Sequence, residues 1–201
     1  MLEQNVTIYY GMSGAMKGST IGSKLNKDPC IKVMESAIKP WKSYQFGLFK
    51  DLVLDNDLTY GILHLVRLQD FLRQNETIKN LAIERSISDC LFYYNESDEF
   101  NNGNKLGDKK IQELVEEERR LLGDRKVHRV LLIQRDKDFI NTNILQEPTR
   151  NKTFKGSCLY YLEMQDKYIE HTKKYNTIDE IIEINNAKKY IEKTLGEKFK
   201  D

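Results

Sequence analysis

The run Val6-Thr7-Ile8-Tyr9-Tyr10 is β-branched and aromatic and stops at Gly11, a pattern that predicts a short buried strand. A glycine-rich turn follows, then a helix over residues 19–25. Ile31-Lys32-Val33-Met34 predicts a second strand, ended by Glu35. From Leu58 to Arg73 the apolar residues Ile62, Leu65, Leu68, Phe71 and Leu72 recur at spacings of three and four, which predicts a helix with one buried stripe. Lys79-Asn80-Leu81-Ala82-Ile83 predicts a third strand, and its carboxyl end delivers Glu84-Arg85-Ser86. The span 96–108 is polar, holds Gly103 and Gly107, and predicts a loop. Ile111 to Leu122 predicts a charged helix, Val130 to Ile133 a strand, and Cys158 to Tyr175 a long helix. Ile178 to Ile184 predicts a last strand before a C-terminal helix.

Strands that alternate with helices over short connections imply an α/β sandwich with a mainly parallel sheet and helices on both faces. The 201 residues carry no low-complexity linker and no repeat, so a single domain over 1–201 is expected. Ligands of such sheets sit beyond the carboxyl ends of the strands. The glycine-rich turn, Glu35 and Glu84-Arg85-Ser86 all fall at such ends.

Charge narrows the partners. Lys plus Arg number 32 against 31 for Asp plus Glu, a formal net charge of +1, and a general nucleic-acid binder needs a large excess of base. No nucleic-acid partner is therefore expected. Apolar runs fall short of the roughly 20 residues that span a bilayer, and the polar start at Glu3, Gln4 and Asn5 does not resemble a signal peptide. Cys30, Cys90 and Cys158 are odd in number, far apart and without CxxC spacing, which fits a reducing compartment and a cytoplasmic protein. Glu116-Glu117-Glu118-Arg119-Arg120 reads as a solvated helix face. His64, His128 and His171 share no metal-ligand spacing.

The turn Gly11-Met12-Ser13-Gly14-Ala15-Met16-Lys17-Gly18-Ser19-Thr20 lies between the first strand and the first helix. Phosphate binding needs small residues whose amides can turn inward at a helix N-terminus, and a Lys to reach the β and γ phosphates. Gly11, Gly14, Gly18 and Lys17 meet those needs. Met16 stands where the usual G-x-x-x-x-G-K-[ST] pattern has glycine. On the acceptor side, a carboxylate such as Glu35 can take the proton of an attacking hydroxyl. An acidic residue such as Glu84 can hold Mg²⁺ or its waters. An Arg such as Arg85 can steady a phosphate or the attacking oxygen.

In order along the chain, these segments resemble the P-loop deoxynucleoside kinase family, which is related to the thymidylate kinases. Glu35 with Trp41 resembles that family's P-E-P-x-x-x-W segment, without the prolines and with the Trp one residue later. Thr59-Tyr60 resembles its helix signature, Glu84-Arg85-Ser86 matches its E-R-S motif, and Tyr161-Leu162-Glu163 resembles its post-lid helix. The resemblance runs from Val6 to Tyr175. It implies a P-loop three-layer sandwich with a short lid over 146–156, ATP as donor, Mg²⁺ as cofactor, and a small-molecule nucleoside or nucleoside monophosphate as acceptor. It further implies that Lys17 and the loop amides, with Ser13, Ala15, Ser19 and Thr20, bind ATP. Glu35 is then the general base with Arg85 beside it, and Ser19 and Glu84 serve Mg²⁺. Arg150 and Lys152 close the lid, with Lys155 nearby and Arg135 competing for that part. Trp41, Tyr60 and Asp89 contact the acceptor, together with Glu35 and Arg85. The family's base-reading Gln is Leu58 here, and Asp89 lies one residue short of the sugar-reading aspartate. A homodimer is consistent with the resemblance.

Three readings stay open at this level. The first is a deoxynucleoside kinase acting on the 5′-hydroxyl. The second is a thymidylate-kinase-like monophosphate kinase, in which Lys32, Lys39 or Lys42 holds the acceptor phosphate. The third is a non-catalytic nucleotide-binding regulator.

Overall fold

The computed structural model describes residues 3–12, 30–34, 57–96 and 105–184. Among these residues five strands, β1 (Asn5–Tyr10), β2 (Ile31–Met34), β3 (Asn80–Glu84), β4 (Lys126–Ile133) and β5 (Glu180–Glu183), make one sheet in the order β2-β3-β1-β4-β5. Every pairing is parallel. The described helices are α1 (Asp57–Gln74), α2 (Ile87–Glu96), α3 (Asp108–Leu122), α4 (Lys137–Phe139), α5 (Pro148–Thr153) and α6 (Cys158–Tyr175), and a π-helical turn at Ile140–Ile144 extends α4.

Parallel strands are buried on both faces, so they read as continuous apolar runs instead of alternating ones. That is why Val6 to Tyr10 and Leu81 to Ile83 are legible in the sequence. On one face Val6, Ile8, Tyr10, Leu81, Ile83, Leu131 and Ile133 pack with Leu68 and Leu72 of α1, Phe92 of α2, Leu122 of α3 and Tyr168 of α6. On the other, Tyr9, Ala82, Val130, Leu132 and Ile182 form a second buried layer. The architecture is thus an α/β sandwich on a parallel sheet, as the alternation of elements implies.

The strand order sets where a ligand can go. β1 lies between β3 and β4, with Tyr9 opposite Glu84 on one side and Tyr10 opposite Leu131 on the other. Between β3 and β4 the chain crosses over β1, and the connections that leave the adjacent strands β1 and β4 run to opposite edges of the sheet, one to β2 and the other to β5. Open α/β sheets bind ligands at such a switch point, beyond the carboxyl ends. Gly11, Arg85 and Gln134 emerge there from three adjacent strands.

Two local devices fix the helices around that point. Gly61 of α1 lets α2 approach closely, since a Cβ there would stand 2.9 Å from the Ile87 methyl. Gln165 of α6 grips the end of β4: its carbonyl accepts from the Gln134 amide at 2.7 Å, and its amide donates to the Gln134 carbonyl at 2.8 Å. Both glutamines are 1% exposed.

Several boundaries differ from the sequence reading. β4 begins four residues earlier than Val130, because Lys126 to Arg129 are only partly covered and carry no apolar run. Helix α2 has no counterpart in the sequence reading, although Ser86 and Asp89 mark its start. The segment 146–156, expected as a lid, contains α5. The helix expected over 19–25, the loop residues Ser13, Gly14, Ala15, Met16, Lys17, Gly18, Ser19 and Thr20, and Glu35, Trp41 and the C-terminal helix lie outside the described residues. Among those described, no helix is long and apolar enough to cross a membrane.

The Gln134–Gln165 grip yields a stability test. Replacing Gln165→Leu keeps the volume but strands two buried backbone groups, each worth about 1–3 kcal/mol. The urea midpoint should fall accordingly, and an unchanged midpoint would show that the grip carries no net stability.

Candidate functional site

β1 ends at Gly11, whose φ of 153° is open essentially to glycine alone. Its amide donates to the Tyr168 hydroxyl at 2.8 Å. That hydroxyl donates in turn to one carboxylate oxygen of Asp89. The other oxygen of Asp89 accepts from the Ser86 amide at 2.7 Å. Ser86 and Asp89 therefore make a capping box at the start of α2: the Ser86 hydroxyl accepts from the Ser88 amide at 3.2 Å while Asp89 reaches back.

A second carboxylate closes the same helix end. Glu118 of α3 accepts from the Ile87 amide at 2.8 Å and from the Ser86 hydroxyl at 2.7 Å, and lies 3.0 Å from Nε2 of His64 on α1. It is 3% exposed, so the reading of residues 116–120 as a solvated face is corrected at this position. Burial raises its pKa, but the hydrogen bond and charge of His64, then Ser86 and the Ile87 amide, outweigh that and lower it below the ordinary value of 4.5.

Arg85 stands between these anchored groups. Its φ of 79° is the left-handed region, costly for a residue with a Cβ and concentrated at functional sites. Its amide still donates to the Tyr9 carbonyl at 3.0 Å, one residue beyond β3. Its guanidinium lies 5.9 Å from the centroid of the Tyr93 ring. Burial works against its charge, yet Tyr93 and the carboxylate of Asp89 more than compensate and raise its pKa above an already high ordinary value. The Nε is buried with no hydrogen-bond partner among the described residues. An arginine held charged, rigidly seated and short of one acceptor is suited to an anionic ligand.

Of the other expected site residues, Glu84 is the last residue of β3 and is 5% exposed. Asp89 is fully buried, with both oxygens engaged as described. It faces Tyr168 and Ser86. The backbone of Tyr60 lies in the first turn of α1. Arg150 and Lys152 lie on α5. Arg150 is 3.7 Å from Glu147 and acts electrostatically on Tyr161, as Tyr93 does. Lys155 lies 4.5 Å from the Tyr160 ring centroid, and Arg135 is held by Asp166 at 2.5 Å. Sequence reasoning missed Tyr168, Glu118 and His64. For Glu118 a signal exists: Ile111, Val115, Glu118 and Leu122 share one helical stripe.

With this geometry in hand, the chain can be set beside known proteins. No family model and no curated protein sequence matches it. Solved structures do. Thymidylate kinase from Candida albicans superposes with a TM-score of 0.60 at 14% identity, covering 96% of this chain and 92% of that one. Deoxyadenosine kinase from M. mycoides, solved with bound dATP, gives 0.53 at 14% identity, covering 94% and 98%. Thymidylate kinase from Ehrlichia chaffeensis gives 0.54 at 10% identity, covering 96% and 99%. The fold is that of the P-loop nucleotide kinases. Gly11 and Arg85 stand here beyond the carboxyl ends of the neighbouring strands β1 and β3.

Glu118 gives a test by pH. A carboxylate whose folded pKa is depressed stabilises the protein above its unfolded value and loses that contribution as the pH falls through the folded one. Replacing Glu118→Gln should cost about 3–5 kcal/mol at neutral pH, the cost of breaking a buried pair. In urea titrations the gap from the parent should close as the pH drops below the ordinary value of 4.5. A gap that stays constant would mean that Glu118 acts through shape alone.

Proposed function

We propose that the protein is an ATP-dependent kinase that transfers a phosphoryl group to the 5′-hydroxyl of a deoxynucleoside. The observation that carries this reading is Arg85: a strained, charged side chain whose buried Nε has no partner among the described residues, beyond β3 and beside Gly11. The fold shared with nucleoside and nucleotide kinases supports it.

In this reading Lys17 and the amides of the loop from Gly11 to Thr20 hold the ATP phosphates, as backbone nests and helix N-termini do. Glu35 accepts the proton of the 5′-hydroxyl while its oxygen bonds to the γ-phosphorus and the bond to the β-phosphate oxygen breaks, releasing ADP. Arg85 supplies fixed positive charge where negative charge spreads in the transition state. Mg²⁺ neutralises phosphate charge when bound, and the hard oxygens of Glu84 and Ser19 are suited to it. Arg150 and Lys152 bring further cations from the segment 146–156, and closure there would exclude water from the site. Trp41 and Tyr60 serve the base, and the E-R-S triplet favours a nucleoside over a monophosphate acceptor.

The test offers Mg²⁺-ATP with thymidine, deoxyadenosine, deoxyguanosine, deoxycytidine and each 5′-monophosphate in turn, scoring ADP release. Deoxynucleosides should give turnover. Turnover with monophosphates alone would move the assignment to a thymidylate-kinase-like enzyme, and none above background would remove the kinase reading. Replacing Arg85→Lys keeps charge but loses the planar fork, and should lower kcat about 10²–10³-fold, as loss of one preorganised donor does. Glu35→Gln should abolish turnover while ATP still binds.

A further inference from the structure

Gly11 and Arg85 leave neighbouring strands and, in the reading above, serve opposite partners: the donor phosphates and the acceptor. One chain of buried hydrogen bonds joins them. The Gly11 amide donates to the Tyr168 hydroxyl at 2.8 Å, that hydroxyl donates to Asp89, and the second oxygen of Asp89 accepts from the Ser86 amide at 2.7 Å, next to Arg85. Tyr168, Asp89 and Ser86 are each fully buried. The direction of the chain is fixed by chemistry. An amide N–H can only donate, so the hydroxyl accepts from Gly11 and turns its single proton to Asp89. Burial, then the proximity of Asp89, pushes the Tyr168 hydroxyl well above its ordinary pKa, so it keeps that proton.

The post that carries this chain is rigid. Tyr168 sits on α6, whose Gln165 grips the end of β4. Its ring meets Phe92 of α2 edge to face, with centroids 5.2 Å apart. A shift of the Gly11 turn therefore cannot be absorbed by the tyrosine. It must break the hydrogen bond or move Asp89, and with it the turn that holds Arg85.

We propose that Tyr168 and Asp89 are positioning residues that couple the entry of the phosphate loop to Arg85, so that a ligand ordering one side orders the other. Neither touches a reacting atom. The catalytic consequence rests on the kinase reading, whereas the link itself does not. Coupling of this kind is reciprocal: ATP tightens the nucleoside by the same factor as the nucleoside tightens ATP.

The variant Tyr168→Phe keeps the ring and removes the hydroxyl. Hydrogen exchange on the full chain should show lost protection in the segments 9–12 and 84–89 together, with β4 unchanged. In binding titrations the parent should hold ATP about fivefold or more tighter with the acceptor present, and Tyr168→Phe should lose that gain. Its kcat should fall about tenfold or more, and its KM for ATP at saturating acceptor should rise by the factor lost from binding. Phe92→Leu loosens the same ring without removing a hydrogen bond, and should weaken the coupling less than Tyr168→Phe does. Should Tyr168→Phe fail to fold, Asp89→Asn serves instead, since one amide oxygen cannot accept from both Tyr168 and Ser86 as the carboxylate does. Increased exchange at one segment only, coupling that survives Tyr168→Phe, or equal loss in Phe92→Leu would overturn the proposal. A parent protein without any phosphotransfer would sink the kinase reading, and the exchange experiment would still decide the link.

Discussion

A buried carboxylate at the head of a ten-residue helix governs the geometry beyond β3. Removing Glu118 from water carries a penalty of several kcal/mol, on the order of what a buried ion pair must recover through its partners. It recovers this from three directions: the Ile87 amide and Ser86 hydroxyl at the amino end of α2, where the helix dipole favours negative charge, and His64 from α1. Those partners come from two helices other than its own. The interaction is satisfied in only one arrangement of α1, α2 and α3, and that arrangement fixes where α2 begins. The strained φ of Arg85 persists because its flanks leave no alternative. Its own amide is tied to Tyr9, and Ser86 is tied to Asp89 and Glu118.

The sheet explains why this matters at a distance. In the order β2-β3-β1-β4-β5 the ends of β1, β3 and β4 are neighbours, but each continues into a turn that the ladder no longer restrains. The turns need their own ties. β4 receives one from Gln165, and β1 and β3 share one through Tyr168 and Asp89. Both ties come from α6, a single long helix lying across the first face of the sheet. Helix α6 thereby sets the relative height of three strand ends, a task that hydrophobic packing alone, being non-directional, cannot perform.

Much of this frame was legible in the sequence, and the failures have specific causes. β2 and α6 fall on their expected bounds because an apolar run and a long periodic stripe are strong local signals. The amino half of β4 was missed because Lys126 to Arg129 are only partly covered, so no apolar run betrays them. Glu118 was misread from the charge run around it, although its place on the stripe of Ile111, Val115 and Leu122 was the better guide. The spacing of Asp89 from Ser86 fits a capping box, a local role that a search for ligand contacts passes over. The partnership of Asp89 with Tyr168 spans 79 residues and that of Gly11 with Tyr168 spans 157. No local pattern encodes either.

The polar accounting of the crevice points the same way as its topology. Nearly every buried polar group in a folded protein finds a partner, and an exception asks for a reason. Ser86, Asp89, Glu118 and Gln165 are all satisfied, so this chain does not tolerate loose ends around the turns. The Nε of Arg85, the Nε of Arg129 and the hydroxyl of Tyr161 are buried with no hydrogen-bond partner among the described residues. The Tyr93 ring lies 5.9 Å from the guanidinium of Arg85. Each unmet group costs about 1–3 kcal/mol, and a ligand oxygen that met them would recover that cost as affinity. An anion fits Arg85, and a neutral acceptor oxygen fits a hydroxyl that burial keeps protonated.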